Sequence, residues 1–473
     1  MTIPEFPVGT AIQRPTIFPE GLVGDVADAM FRAAPYPNAT IALAGSIGFL
    51  AGISGRSFNV NGTGLNQYVL VLAPTGAGKD AISDGISRFT AAIKQTVPGV
   101  ADFRGPGELV SAPGLFKWLA RLSNPTIFSV IGEFGLMLKA MAAPNANANM
   151  AGLQRLLLQL YSKSGNGGAF EAAAYSDRDN NTGIIASPSL TIIGEGVPDT
   201  FYAALDEGMI ASGLLPRLLL FETTDRRPYQ NLNREIEPCP QLVQRLSELA
   251  VAALHNAQGN LVRNVEMCSE ARSTFVEFER WTTDEINNAI NETTRQLWNR
   301  ANLKALKLAA IIAVGRDPQL PYISLPDCVW ATNLIVEQTK ALIAKFESGE
   351  TGMIAGNEVK QQDAIRRCIY EYMTQPYDRF SKYGITRKMH EYATFTQSYL
   401  SRRLINLPTF KNDRIGATNA LKRALTNLAE GDEIREYPKT QLAKEFNTTA
   451  RAFAISDPEA FLPAGRKKYG DGV

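Results

Sequence analysis

Eight consecutive residues, Ala73, Pro74, Thr75, Gly76, Ala77, Gly78, Lys79 and Asp80, carry the most specific chemistry in this 473-residue chain. They follow the apolar run Tyr68–Leu72 and open a helical pattern. A buried strand, a turn with two glycines and a lysine at a helix start form the arrangement that grips a nucleoside triphosphate. The glycines let backbone N–H groups close around phosphates, the helix start favours negative charge, and the lysine reaches the outer phosphates. Pro74 to Asp80 are therefore the expected ATP-binding residues. Loops of this kind end in Ser or Thr, whose hydroxyl holds magnesium; this one ends in Asp80.

Such a loop needs acidic partners on a second strand, one near the metal and one to activate water. Thr126–Ile131 reads as that strand, and Gly132-Glu133-Phe134-Gly135 follows it. Glu133 stands where the water-activating glutamate belongs, and Gly132 where an aspartate is usual. Both magnesium-facing positions depart from the common pattern, and one reading joins them. A carboxylate has moved from the strand end to the loop, so that Asp80 and Glu133 together manage Mg2+ and water. The alternative is a site that binds nucleotide without cleaving it, because an extra anion near the γ-phosphate weakens binding. The third strand, ending at Gly194, is followed by Glu195, either an acid that orients water or a loop glutamate facing solvent.

Arg217, after Gly213-Leu214-Leu215-Pro216, precedes a last strand. An arginine there is expected to reach the γ-phosphate on a neighbouring subunit and stabilise transition-state charge; the plainer reading is an arginine capping its own helix. Arg226 and Arg227 read as solvated. Arg300, Lys304 and Lys307 read either as cations closing over the nucleotide from a lid or as a solvated basic face.

The elements that must hold these groups alternate between strand and helix over residues 61–235, the mark of a parallel α/β sheet. Strands are expected at Gln67–Ala73, weakly at Val100–Phe103, and at Thr126–Ile131, Ser189–Ile193 and Arg217–Glu222. The helix after the loop carries Ile82, Ile86, Phe89 and Ile93 as one apolar stripe. Residues 1–60 read as a leader with two helices, near Leu22–Ala34 and after Pro37. Residues 236–346 read as a helical lid. Glu347–Gly356 reads as a linker, and the loop Ser162–Asn181, with Lys163 and Arg178, as a projection toward a central channel.

The bulk numbers are those of an ordinary globular protein: 45% hydrophobic, 20% charged, net charge +1. No global field points to nucleic acid or membrane, so any such surface is local. Four scattered cysteines and two histidines offer no paired spacing for zinc. Ile41–Ile53 is apolar but too short to span a bilayer. No secretory leader is evident, which implies a cytoplasmic protein, in the host cytoplasm if phage-encoded.

From Glu358 to the end, 20 Lys and Arg oppose 14 Asp and Glu. Short helices followed by a strand-like Glu433–Tyr437 read as a winged-helix-like basic domain over 357–473. Its pairs Arg387-Lys388, Arg402-Arg403 and Lys422-Arg423, with Tyr392, Tyr399 and Phe410 between them, suit backbone contact with stacking on nucleic acid; the alternative is a solubilising surface.

Strand order, motif order and the place of Arg217 resemble the additional-strand ATPases of the AAA+ type, helical lid included. More narrowly, the chain resembles a P-loop ATPase family of phages and mobile elements, a domain of unknown function whose members are described as replicative helicases or primase-helicases. The residues behind the resemblance are Pro35 to Lys79, Ile131 to Gly135, Ile192 to Gly194, Gly213 to Arg217 and Ala301 to Ala313, within about residues 5–345. The resemblance implies a P-loop NTPase (AAA+-like) sheet with a helical lid, in which Lys79 binds phosphate, Glu133 is the catalytic acid/base and Arg217 is a trans-acting finger. The family usually carries aspartate where this chain has Gly132. The expected protein is an ATP- and Mg2+-dependent homo-oligomer, a hexamer in the simplest form. It would act as a helicase or translocase on single-stranded or forked DNA, with other replication proteins as partners and no membrane. Two further classes stay open: a nucleotide-gated loader or scaffold, and a DNA-packaging or transfer motor.

Overall fold

The computed structural model describes residues 13–142, 146–171, 183–205, 213–223, 227–259, 261–289, 291–347, 357–411, 413 and 416–461. Residues 1–12 of the leader, Arg178, Ser212, Arg226 and residues 348–356 of the linker lie outside them. The chain divides into two compact units, Met1–Thr351 and Gly352–Val473.

In the first unit, helices α1 (Leu22–Ala33) and α2 (Ala39–Ser54) precede the sheet. Strand β1 (Tyr68–Leu72) leads into α3 (Asp80–Lys94). Then come β2 (Thr126–Ile131), α4 (Phe134–Ala142), α5 (Ala148–Lys163), β3 (Ser189–Gly196) and β4 (Leu218–Glu222). Four long helices follow: α6 (Pro240–Gln258), α7 (Ser269–Asn288), α8 (Ala301–Arg316) and α9 (Leu325–Glu347).

The four strands form one all-parallel sheet in the order β2–β3–β1–β4. The strand latest in sequence but one thus inserts between the strand entering the glycine loop and the strand preceding Glu133. All five residues of β1 are buried, as expected of a parallel strand covered on both faces. Beyond β2, Arg104 makes a single parallel bridge to Phe128.

The weak strand expected at Val100–Phe103 is a 3-10 helix, Pro98–Phe103. Pro98 and Gly99 break extended pairing, and the three-residue turn points Val100 and Phe103 inward together, both about 1% exposed. Strand β3 runs to Gly196, past its expected end at Ile193 or Gly194. Its glycines are packing positions: a Cβ on Gly194 would come within 2.5 Å of the Phe134 ring, and one on Gly196 would meet Leu72 at 3.1 Å.

Helix α2 lies flat on the sheet because two of its glycines face strand side chains. A Cβ on Gly48 would meet Ile193 at 2.5 Å, and one on Gly52 would meet Phe128 at 2.5 Å. The helix is buried on every side, in one apolar core with α1, α3, α6 and α8. Ala169–Phe170 and Ile185–Ala186 pair antiparallel after α5.

The second unit has its own core, built on Tyr372, Phe395, Tyr399, Phe410, Leu421, Leu425 and Phe453. Its main elements are α10 (Asn357–Thr374), β5 (Thr394–Thr396), α11 (Gln397–Leu404), α12 (Ala417–Glu430), β6 (Ile434–Glu436) and β7 (Ala452–Ile455). The strands form an antiparallel sheet in the order β5–β7–β6. Sequence reading had found only the Glu433–Tyr437 segment of it. Arg366 holds Glu433 through two bonds of 2.9 and 2.6 Å, fastening α10 to the turn before β6.

Candidate functional site

The glycine loop sits at the C-terminal edge of the parallel sheet, where ligands bind in open α/β folds. Gly76 and Gly78 have φ of +79° and +90°, a region that L side chains avoid. At Gly78 a Cβ would also lie 2.8 Å from the carbonyl oxygen of Tyr36. Helix α3 begins at Asp80 and is anchored below by Ile82, Ile86, Phe89 and Ile93, all at most 3% exposed. The loop therefore has a rigid strand on one side and a rigid helix on the other. The Lys79 ammonium donates to the carbonyls of Ala73 and Gly196, each at 3.1 Å, so it is directed at the loop's own rim and its junction with β3. Pro74, Thr75 and Gly76 are exposed, Gly78 is half-buried and Ala77 is buried.

Three carboxylates converge here. Asp80 is exposed as the first residue of α3. Glu133 is exposed at the end of β2, with φ of +52°, and its carbonyl accepts the amides of Leu136 and Met137 at 2.9 and 3.3 Å. Phe134 is fully buried against Gly194, which pins the turn carrying Glu133. Glu195 lies within β3, in register with Val71. Of the two readings of Glu195, the solvent-facing loop residue is overturned: the strand continues through it and half-buries it. Burial raises its pKa; Lys79 opposes the shift, and the charges of Asp80 and Glu133 add to it. One lysine and three acids thus share a single electrostatic neighbourhood.

At the adjoining strand end, Glu222 is paired in register with Leu72. It accepts the Tyr202 hydroxyl at 2.6 Å and the Lys345 ammonium at 2.9 Å. Residues in β4 and near the end of α9 therefore meet beside the loop, a constellation sequence reading missed because its members are far apart in the chain.

Magnesium is typically held by one or two carboxylates together with substrate phosphates. Asp80 and Glu133 are two exposed carboxylates of that kind beside the loop. No group of three or more His, Cys, Asp or Glu among the described residues is arranged to hold an ion by itself.

Arg217 stands at the opposite edge of the sheet. It ends a 3-10 turn, Leu215–Arg217, immediately before β4. Five residues of strand separate it from the loop edge, roughly 17 Å at the usual rise. Its Nη1 donates to Gly213 at 2.5 Å, and its guanidinium lies 5.9 Å from the Tyr161 ring centre. Burial, and then Arg300, lower its pKa.

Lys304 and Lys307 are not a solvated face and do not approach the loop. Both expectations are overturned. Lys304 donates to Leu218 O at 3.2 Å; Lys307 donates to Asn66 O, Asn66 Oδ1 and Tyr161 O at 2.9–3.3 Å. These acceptors lie at strand starts and a helix end, so the lysines cap buried carbonyls at the edge away from Lys79. Burial lowers their pKa values to about 8 and about 7, respectively.

Arg227, read as solvated, is exposed, and it also lies over the ring of Tyr36, 3.8 Å from its centre. No local sequence signal connects two residues so far apart.

In the second unit, Tyr399 and Phe410 are core residues at 0% exposure, not stacking platforms. Arg403 pairs with Glu371 and Arg423 with Asp413. Arg387, Lys388, Arg402 and Lys422 are exposed, as is Tyr392 at 62%.

No helix among the described residues is long and apolar enough to cross a membrane. Comparison with protein-family models finds no match to this chain. No curated protein matches it.

Proposed function

We propose that the chain is an ATPase that works as a ring-forming translocase on DNA, most simply a helicase. The observation that carries this reading is the convergence of Lys79, Asp80, Glu133 and Glu195 on a positive-φ glycine loop at the C-terminal edge of a parallel sheet. The insertion of β3 between the loop strand and the Glu133 strand supports the additional-strand ATPase likeness.

In this reading the amides of Gly76 to Lys79 and the Lys79 ammonium bind the phosphates. Magnesium bound with the nucleotide supplies charge neutralisation at the outer phosphates. Glu133 takes the proton from the attacking water, and Asp80 stands in for the hydroxyl and aspartate the pattern lacks. Arg217 is too far from its own loop to serve it, and the N-terminal sheet edge is where a finger for a neighbouring subunit would stand. The second unit supports a DNA-facing role through the order β5–β7–β6 combined with helices α11 and α12, a winged-helix-like connectivity. The exposed Arg387, Arg402 and Lys422 are suited to phosphate contacts.

The test is phosphate release from ATP with and without single-stranded DNA, beside unwinding of a labelled fork. Wild type should hydrolyse ATP faster with DNA and open the fork. Lys79→Ala should do neither. Wild type that binds ATP without hydrolysing it would favour the scaffold class.

A further inference from the structure

We propose that Arg227 is a second phosphate-binding cation of the same chain, held on the ring of Tyr36 and drawn to the outer phosphates when a triphosphate fills the loop. The inference rests on the triphosphate reading above and deepens it.

Position is the first argument. A Cβ on Gly76 would lie 3.9 Å from both Cζ and Nη1 of Arg227, and the Tyr36 carbonyl touches Gly78. The stacked pair therefore stands on the two positive-φ glycines of the loop. This placement is held from both sides. Asn38 Nδ2 donates to Thr223 Oγ1 at 3.1 Å, Asn231 N–H donates to Pro35 O at 2.8 Å, and Asn231 Nδ2 donates to Arg32 O at 2.8 Å. The segment before α2 and the segment after β4 are thereby fastened together at the loop.

Charge is the second argument. One ammonium faces three carboxylates, and a triphosphate brings further negative charge. Other cations near this edge are committed elsewhere: Lys345 to Glu222 at 2.9 Å, and the Arg234 Nε to Ala33 O at 2.7 Å. Among the described residues no carboxylate pairs with Arg227, which is exposed. The exposed Arg227 resting on the half-buried Tyr36 ring is held weakly, whereas a guanidinium on phosphate makes charge-assisted, bidentate bonds. The exchange favours phosphate.

Calorimetric titration of the full-length protein with ATP and with ADP, in magnesium buffer, tests this. Arg227→Ala should weaken ATP binding about 10–100-fold and leave ADP within a few-fold. Arg227→Lys should recover part of the loss, as a point charge without the fork. Tyr36→Leu, which removes the resting place alone, should bind ATP at least as well as wild type.

The outcomes separate the two readings. If wild type binds ATP, Lys79→Ala does not, and Arg227→Ala equals wild type, the role of Arg227 is overturned and the loop stands. Equal losses for ATP and ADP in Arg227→Ala, or a Tyr36→Leu loss as large as that of Arg227→Ala, also overturn it. If wild type binds neither nucleotide, the loop reading falls and this inference with it.

Discussion

Glu133 holds a backbone conformation that costs a non-glycine residue about 1–2 kcal/mol, and its side chain is exposed, so packing does not repay that cost. A residue kept there under strain is a candidate for chemistry. Glu133→Gly is expected to change stability by no more than about 1 kcal/mol in either direction, since relief of strain and added chain entropy oppose each other. ATP hydrolysis should nevertheless disappear. Thermal melts beside phosphate-release assays check this, and retained hydrolysis would remove Glu133 from the mechanism. The same scale holds the Asp80 question. A Cβ at Gly132 meets nothing within 4 Å, so the position has room for aspartate. Asp80→Ala should abolish magnesium-dependent hydrolysis, and Asp80→Ser combined with Gly132→Asp should restore part of it. Full activity in Asp80→Ala would end the relocated-carboxylate idea.

Helix α8 shows how an element can defeat a pattern. Its lysines looked like a polar stripe, yet they point into the protein and satisfy carbonyls left open where strands begin. The cost is readable in pH. Lys307 has a folded pKa of about 7, against 10.5 for an ordinary lysine. Its depressed value means that folding favours the neutral amine. The contribution is fully present above about 10.5 and is lost as the pH falls through that window toward 7, because the unfolded chain takes up its proton first. Measured by urea unfolding, the stability of wild type relative to Lys307→Met should therefore rise between pH 7.5 and 9.5. A flat difference across that range would show that Lys307 stays charged in the fold.

Two units with separate cores imply two unfolding events. Scanning calorimetry of the full chain should resolve two transitions. A single transition would mean that the units stabilise each other strongly. Assembly is tested at this scale too. Because Arg217 and Lys79 lie at opposite sheet edges, a finger acting between subunits allows two dead variants to help one another. Mixed Lys79→Ala and Arg217→Ala chains should regain ATP hydrolysis that neither shows alone. No recovery, with mixed assembly verified by native mass measurement, would confine Arg217 to its own subunit.

The glycine loop, the strands flanking it and the stripe of α3 were legible in the residues, because each depends on neighbours a few positions away. Glycine permits positive φ, a five-residue apolar run buries itself as a strand, and apolar residues near every fourth position make a helix face. Long-range facts were not legible. The half-burial of Glu195, the anchoring of Lys304 and Lys307 on distant carbonyls, and the meeting of Tyr36 with Arg227 all join segments far apart in the chain. Such contacts depend on shape and hydrogen-bond complementarity between whole elements. No local pattern encodes that complementarity, so these residues acquired their surroundings only when the chain had packed.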